Sequence, residues 1–271
     1  MKDELGERMK SQYEDRTRYY VPRRTYTIIR LDGAHFHTYT KGLLKPFDHH
    51  LCTDIDDLII AMMPHIQGAV FAYTQSDEIS ILLTDFNLPT TSAWFDGNIQ
   101  KMASVSASIM TAEFNKLRWL RRKNLTDFHD VVSKEMVSAY FDSRVFTIPD
   151  RTEVMNYFIW RNQDYARNSV SMNAQSLFSH KELQGKSTND MLQMMRGYKS
   201  GAFKWESLNQ DLRFGRLIVK ESYVLEKSNP PVPYEYVTRN VNAVRTHWVV
   251  KQAWRFTEDK DKLLEMIPKY E

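Results

Sequence analysis

The chain has 271 residues, of which 42% are hydrophobic and 26% charged, and its formal net charge is +3. These values are ordinary for a globular protein with a sizeable core and give no global polycationic signature of nucleic-acid binding. The single cysteine, Cys52, excludes an internal disulfide framework and a cysteine-based zinc site. The longest apolar stretch, residues 58–63, is too short to cross a bilayer, and the charged N-terminus lacks the apolar core of a signal peptide. We therefore expect a soluble, cytoplasmic protein with no membrane partner.

The spacing of apolar residues predicts an N-terminal helix followed by six further elements. Leu5, Met9 and Tyr13 recur every four residues and predict an amphipathic helix over residues 3–15. Later segments either are rich in β-branched and aromatic residues, which is typical of strands, or repeat apolar residues at helical spacing. The elements predicted in this way are strand 25–31, helix 51–66, strands 68–74 and 79–83, helix 98–120 and strand 140–148.

This order of strands and helices is that of a split βαβ, or ferredoxin-like, βαββαβ unit. Right-handed crossovers in such a unit place the first and third strands side by side and antiparallel in the centre of the sheet. The C-terminal end of the first strand then lies beside the N-terminal end of the third. We therefore predict an α+β fold in which Asp32 and Asp77, remote in sequence, become neighbours at one edge of the sheet.

These two aspartates indicate a metal-dependent site. Asp32 directly follows the first strand, and Asp77 lies in the connection between the two hairpin strands. Gly33 gives the backbone freedom to turn and lets a ligand approach closely. Two carboxylates at strand ends suit a pair of divalent cations, and a βαββαβ sheet with two such acids resembles the palm of nucleotide polymerases and cyclases. Backbone N–H groups over residues 33–37 would form an anion-holding nest for a triphosphate.

The second part of the chain is predicted to be mainly helical. Three prolines between residues 230 and 233 mark its one clear break. We divide the chain into a palm-like catalytic domain with the N-terminal helix, residues 1–150, and an extension, residues 151–271. We expect the extension to pack on the palm and to contribute to RNA binding. Its predicted elements are helices 154–178 and 189–196 and strand 213–219.

Four motifs carry a resemblance to a known family. The sequence reads Arg-Leu-Asp-Gly-x-x-Phe-His-x-Tyr-Thr from Arg30 and Gln-Ser-Asp-Glu-x-Ser from Gln75. Lys-Pro-x-Asp begins at Lys45, and a Trp-Arg pair begins at Trp160. Together these motifs resemble the tRNA-His guanylyltransferase family. This family includes bacterial and archaeal enzymes that repair tRNA 5′ ends by extending chains in the reverse, 3′-to-5′ direction.

The resemblance implies a role for each motif residue. Asp32, Asp77 and the Gly33 carbonyl would bind two Mg²⁺ ions, and Glu78 would be a further catalytic carboxylate. ATP would first adenylylate a 5′-monophosphorylated tRNA, and the 3′-hydroxyl of an incoming GTP or other nucleoside triphosphate would then displace AMP. The residues implied in nucleotide binding are Gly33, Ala34, His35, Phe36, His37, Lys45, Asp48, Ser76 and Lys101.

The candidate RNA contacts are Arg144, Trp160, Arg161 and Asn168. Residues 166–172 keep little of the His-Ile-Asn-Asn-Leu-Tyr-Asn stretch that eukaryotic members use in recognising the histidine tRNA. This departure favours the repair type, which copies a template by base pairing and accepts several tRNAs. Because the family commonly forms tetramers, we expect a homo-oligomer.

Other interpretations stay open at this level. His37 alone suits a hydrogen-bonded core histidine, Lys101 a solvated charge and Arg144 a structural ion pair, while the basic residues of segment 118–123 suit either a solvated helix end or an RNA contact. A palm-type nucleotide cyclase shares the two-acid site but needs no RNA-binding surface. A non-catalytic RNA-binding module would need neither aspartate.

Overall fold

The protein is described here by a computed structural model that covers residues 3–125, 137–201, 203–224 and 244–270. Its centre is a single antiparallel sheet of six strands. The predicted break between residues 230 and 233 lies outside the described residues. The strands are β1 Tyr26–Ala34, β2 Ala69–Gln75, β3 Glu78–Leu83, β4 Tyr140–Ile148, β5 Arg216–Val224 and β6 Val244–Gln252.

The strands lie in the order β4-β1-β3-β2-β5-β6. The first four have the ferredoxin-like arrangement, with β1 antiparallel to β3 through pairs such as Leu31 with Ile79. The predicted α+β fold is therefore confirmed. The C-terminal part of the chain adds β5 and β6 to the same sheet, on the side of β2.

Helices cover both faces of the sheet. The chain forms α1 Glu4–Met9, α2 Phe36–Tyr39, α3 His49–Met62, α4 Ile99–Leu125, α5 Arg151–Leu177, α6 His180–Leu183, α7 Thr188–Gly197, α8 Gln210–Phe214 and α9 Lys260–Glu265. One core contains α3 and α4, and the other contains α5 with the short helices that follow it. Successive strand residues point to opposite faces, so Ile28 belongs to the second core and Ile29 to the first. Because β1 is buried on both faces over most of residues 26–31, this segment is mainly apolar and β-branched, which explains why the strand was readily predicted.

The N-terminal helix differs from its prediction. Helix α1 ends at Met9 and continues as a π-helical turn over Lys10–Glu14, and α1 has no buried residue. Leu5, Met9 and Tyr13 are 60%, 41% and 65% exposed. The predicted segment is helical, but no other part of the described chain covers its apolar side chains.

Two strand boundaries also differ. Strand β1 continues through Asp32 and Gly33 to Ala34, because Gly33 pairs with Phe141 of β4. The turn comes at His35, in the left-handed region with φ 53°. Downstream, the segment predicted as a strand from residue 213 begins as α8 and enters β5 only at Arg216, after Gly215 at φ 84°. At Gly215 a side chain would meet the Thr74 carbonyl at 2.7 Å.

No helix in the described part of the chain is both long enough and apolar enough to cross a membrane.

Candidate active site

The sheet brings Asp32 and Asp77 to one edge. Asp32 lies near the end of β1, and Asp77 occupies the two-residue turn between β2 and β3. Because β1 is hydrogen-bonded to β3, the turn lies beside the end of β1. A methyl group at Gly33 would stand 2.6 Å from Oδ2 of Asp77. The predicted convergence is therefore observed, and Gly33 permits the close approach of a carboxylate rather than a turn of the chain.

The hairpin turn holds Asp77 in a partly desolvated position. Ser76 adopts φ 50°, and its hydroxyl donates a hydrogen bond of 2.8 Å to Oδ1 of Asp77. Burial is the main cause that raises the pKa of Asp77 to about 6, with smaller contributions from the charges of Asp32 and Glu78 and an opposing one from the Ser76 hydrogen bond. A carboxylate that is costly to ionise without a counterion favours a cation at this point.

Glu78 holds the β2–β3 hairpin in place through ion pairs with two arginines. Its carboxylate accepts from Nη2 of Arg30 at 2.6 Å and from Nε and Nη2 of Arg161, the Nε contact being 2.6 Å. Arg161 is 4% exposed and also contacts Asp164. Arginines therefore occupy both oxygens of Glu78, which supports an anchoring part for this residue, while its catalytic role stays a prediction. The predicted RNA contact at Arg161 does not fit its burial.

Asp32 lies among cations at the rim. Nη2 of Arg30 and Nη2 of Arg144 are each 3.8 Å from its Oδ2. Arg144 is exposed on β4 and also lies 3.6 Å from Asp142. The structure thus places Arg144, predicted as an RNA contact, in an ion pair beside the acidic pair, where it is also free to meet a phosphate.

Two cavities meet at the hairpin turn. The α3 cavity, about 690 Å³, lies on the side of α3, and the α5 cavity, about 590 Å³, lies on the side of α5. Their shared lining is Ser76, Asp77, Tyr165, Met172 and Gln175. Asp77 therefore lies where the two cavities join and lines both of them.

The α3 cavity collects most of the predicted nucleotide-binding residues. Those that line it are Gly33, His35, Phe36, His37, Lys45, Asp48 and Ser76. Phe36 has a structural part as well, because its ring packs on Tyr39, Phe114 and Phe141. Asp48 caps α3 by accepting from Leu51 N at 2.9 Å. The first N–H groups of α2, which follows Ala34 and His35 directly, have no partner within that helix and are available to an anion.

Lys101 does not reach this site in the chain described. It precedes Met102, which lines a small space beside Thr27 and Leu83 at the other end of β1 and β3. Asp32 is five residues further along β1 than Thr27, or about 16 Å at the rise of a strand. Helix α4 begins at the far end of the sheet because β3 runs away from the site, so the described chain does not bring Lys101 to the acidic pair and its nucleotide contact stays a prediction.

The α5 cavity contains residues that motif reading missed. Trp160 and Asn168, predicted as RNA contacts, line it together with Asp32. Ser171 and Gln175 of α5 also line it and were not singled out, and Gln75, the first residue of the Gln-Ser-Asp-Glu motif, lines it without having been given a role. The sequence pattern that could have indicated this lining is the three- to four-residue spacing of polar side chains along α5. The same spacing is equally typical of a solvent-exposed helix face.

The predicted basic cluster at the end of α4 is partly neutralised. Arg118 and Arg121 contact the buried carboxylate of Asp54 on α3, with Nη1 of Arg118 at 2.7 Å. The side chains of residues 122 and 123 lie outside the described part. The two described arginines therefore join α4 to α3 and contribute little free charge for RNA.

The donor set of the site fits Mg²⁺. The described residues hold no cluster of three or more His, Cys, Asp or Glu arranged around one point. Mg²⁺, however, is usually held by one or two carboxylates together with water and the phosphates of a substrate. Asp32, Asp77 and the Gly33 carbonyl provide such a partial set.

Fold and site together define a class: an α+β protein with a palm-like sheet that presents two carboxylates between two cavities. Residues 6–149, a little more than half of the chain, match the family model described as tRNAHis guanylyltransferase (Thg1). The chain belongs to this family. Its members are nucleotidyltransferases, and the chain is an enzyme of that class.

Relatives of known structure extend the likeness over the whole chain. A bacterial tRNA(His) guanylyltransferase (Thg1)-like protein in complex with ATP is 37% identical, with a TM-score of 0.79, covering 97% of this chain and 99% of its own. A similar bacterial protein in complex with GTP is 35% identical, with a TM-score of 0.75 and the same two coverages. A relative found by sequence, the tRNA(His) guanylyltransferase of Kluyveromyces lactis, is 32% identical over 150 residues, which are 54% of this chain and 58% of that protein.

Proposed function

We propose that the protein adds nucleotides to the 5′ end of tRNA, in the 3′-to-5′ direction and under the direction of a template. The observation that carries the proposal is the position of Asp77, which lines both the α3 cavity and the α5 cavity. A transfer reaction needs two substrates to meet at one catalytic group from separate binding spaces. The bacterial relatives in complex with ATP and GTP support these nucleotides as substrates.

Asp32, Asp77 and the Gly33 carbonyl would hold two Mg²⁺ ions. When bound, these ions neutralise triphosphate charge and activate the attacking oxygen. Asp77, with a pKa of about 6, is ionised at neutral pH. Around it, the start of α2, His37 and Lys45 receive the phosphates in the α3 cavity. Glu78, held by Arg30 and Arg161, keeps the hairpin turn in position.

In the proposed sequence, the 5′-monophosphate of the RNA attacks the α-phosphate of ATP, which adenylylates the RNA end and releases pyrophosphate. The 3′-hydroxyl of the incoming nucleotide then attacks that phosphate, forms the new phosphodiester bond and displaces AMP. An RNA that already has a 5′-triphosphate needs no activation. The repair type and a tetrameric assembly stay predictions of the family resemblance, and a cytoplasmic location stays a prediction from the sequence.

The test is incubation of the protein with a 5′-truncated tRNA, ATP, labelled nucleoside triphosphates and Mg²⁺. We expect labelled growth of the RNA at its 5′ end, directed by the nucleotide opposite the missing position. A cyclic nucleotide product would instead identify a palm-type cyclase. Retention of the RNA without any reaction would identify a non-catalytic RNA-binding module.

Gly33→Ala is expected to reduce nucleotide transfer at least 100-fold. The added methyl group would stand 2.6 Å from Oδ2 of Asp77 and 2.4 Å from the ring of Phe36, so the carboxylate must move. A displacement of about 1 Å at a catalytic group costs on the order of 100-fold in rate. Gly197→Ala is the matched control, because nothing lies within 4 Å of its added Cβ. Full activity in Gly33→Ala would show that the approach of Asp77 to β1 is unimportant.

A further inference from the structure

The α5 cavity differs in charge from a phosphate site. It is lined by Arg30 and Arg161, but both guanidinium groups are bound to Glu78. Its remaining charged lining consists of carboxylates, among them Asp32, Asp77 and Asp164. A space with paired arginines and an excess of carboxylates repels a free polyphosphate. Any phosphate at its edge is limited to the end where Asp32 and Asp77 would hold Mg²⁺.

The rest of the lining is polar but uncharged. Gln75 is 4% exposed, and its Oε1 has no hydrogen-bond partner among the described residues. An unpaired buried acceptor is costly unless a ligand satisfies it. Asn168 and Gln175 line the same cavity from successive turns of α5, and Ser171 lies between them.

An aromatic side chain completes this lining. The indole of Trp160 is half exposed at the α5 cavity. Arg161 lies over its ring at 4.5 Å, which fixes the plane of the indole. Amide groups together with a fixed aromatic plane are what proteins use to bind an unstacked nucleobase, since they supply edge hydrogen bonds and a surface for stacking.

We propose that the α5 cavity binds a nucleobase, with Gln75 and Asn168 hydrogen-bonded to its edge and Trp160 beside it. The inference rests on the proposed function and deepens it, because it assigns a binding site, the α5 cavity, to the second substrate. The base belongs either to ATP in the activation step or to the 5′-terminal nucleotide of the RNA. In both cases the attached phosphate reaches Asp77 from the side opposite to the triphosphate in the α3 cavity.

The experiment compares two reactions in Gln75→Leu and Asn168→Ala. A 5′-monophosphorylated truncated tRNA with ATP reports activation, and a 5′-triphosphorylated one reports transfer without activation. We expect about a tenfold rise in one KM, the effect of a lost hydrogen bond to a base. A rise in KM for ATP, in the activation reaction only, assigns the base to ATP. A rise in KM for RNA in both reactions assigns it to the RNA.

The KM for the incoming nucleotide is the measurement that can contradict the proposal. Its KM in the transfer reaction should not change, because the proposal places it in the α3 cavity. A rise confined to that KM, or no change in any KM, would overturn the assignment. Gln163→Leu is the matched control, since Gln163 is exposed on α5 and lines neither cavity. Asn168 is exposed, so its variant is expected to fold even where Gln75→Leu does not.

A binding measurement separates this inference from the proposed function. Labelled AMP in equilibrium dialysis with Mg²⁺, with and without a 5′-phosphorylated oligonucleotide as competitor, needs no turnover. We expect weaker binding of AMP or of the oligonucleotide in Gln75→Leu and Trp160→Ala than in wild type. If wild type extends no RNA but these variants lose binding, the proposed function fails and the nucleobase site stands. Equal binding in all variants overturns the site.

Discussion

Asp77→Asn is expected to abolish nucleotide transfer while making the metal-free protein more stable at neutral pH. The variant keeps the shape of the side chain but removes the charge that would hold Mg²⁺. Loss of a catalytic metal ligand is expected to cost at least about 1,000-fold in kcat, or roughly 4 kcal/mol in the barrier. A measurement of kcat at saturating Mg²⁺ and nucleotide tests the first half of this prediction.

The stability effect follows from the raised pKa of Asp77, about 6 against an ordinary 3.8. The raised pKa means that the folded state binds the Asp77 proton more tightly than the unfolded state does. The free energy of unfolding of wild type therefore falls as the pH rises from about 4 to about 6 and stays lowered above pH 6. Because solvent reaches part of the side chain, we expect about 1–2 kcal/mol of stabilisation at pH 7.5 in Asp77→Asn. The gain over wild type should fade as the pH falls from about 6 to 4.

Thermal denaturation with EDTA across this pH range measures the effect. Asp57→Asn, at an exposed position of α3, is the control and should follow wild type at every pH. Added Mg²⁺ should raise the melting temperature of wild type and leave that of Asp77→Asn unchanged. Undiminished turnover in Asp77→Asn would remove the two-carboxylate metal site from the mechanism.

Arg161→Met is expected to destabilise the protein more than any other single change proposed here. Arg161 is buried and donates through two nitrogens to Glu78, so its removal leaves the Glu78 carboxylate with Arg30 alone. Removing one partner of a buried ion pair typically costs about 3 kcal/mol or more. For a chain of this length the melting temperature should fall by about 6–10 °C.

The same variant separates an anchoring role from an RNA contact. Arg167→Met is the control, because Arg167 is exposed, lies two turns along α5 and pairs with Asp164. Its melting temperature should stay close to that of wild type, as expected for an exposed ion pair. In Arg161→Met, combination with Glu78→Gln should recover part of the lost stability, since no buried carboxylate is then left underpaired. An unchanged melting temperature with a raised KM for RNA would restore Arg161 as an RNA contact.

Residues that serve the fold and the site together were the hardest to assign from sequence. The Arg-Leu-Asp-Gly and Gln-Ser-Asp-Glu motifs identified the two segments of the site, but a sequence motif does not show which residues contact each other in the fold. Glu78 has the residue type of a catalytic carboxylate, and only the position of α5 shows that Arg161 reaches it from 83 positions away. Lys101 has the type of a phosphate ligand, and only the direction of β3 shows that α4 begins at the far end of the sheet.

Local chemistry in the sequence by itself determined the strands, the main helices and the meeting of Asp32 with Asp77. Enrichment in β-branched and aromatic residues, helical spacing of apolar residues and the handedness of crossovers are local or topological properties of the chain. Tertiary structure alone decided that Gly33 makes room for Asp77, that Glu78 is held by arginines and that two cavities open on either side of the hairpin. Those outcomes depend on contacts between residues far apart in sequence, whose distances and burial no local pattern encodes.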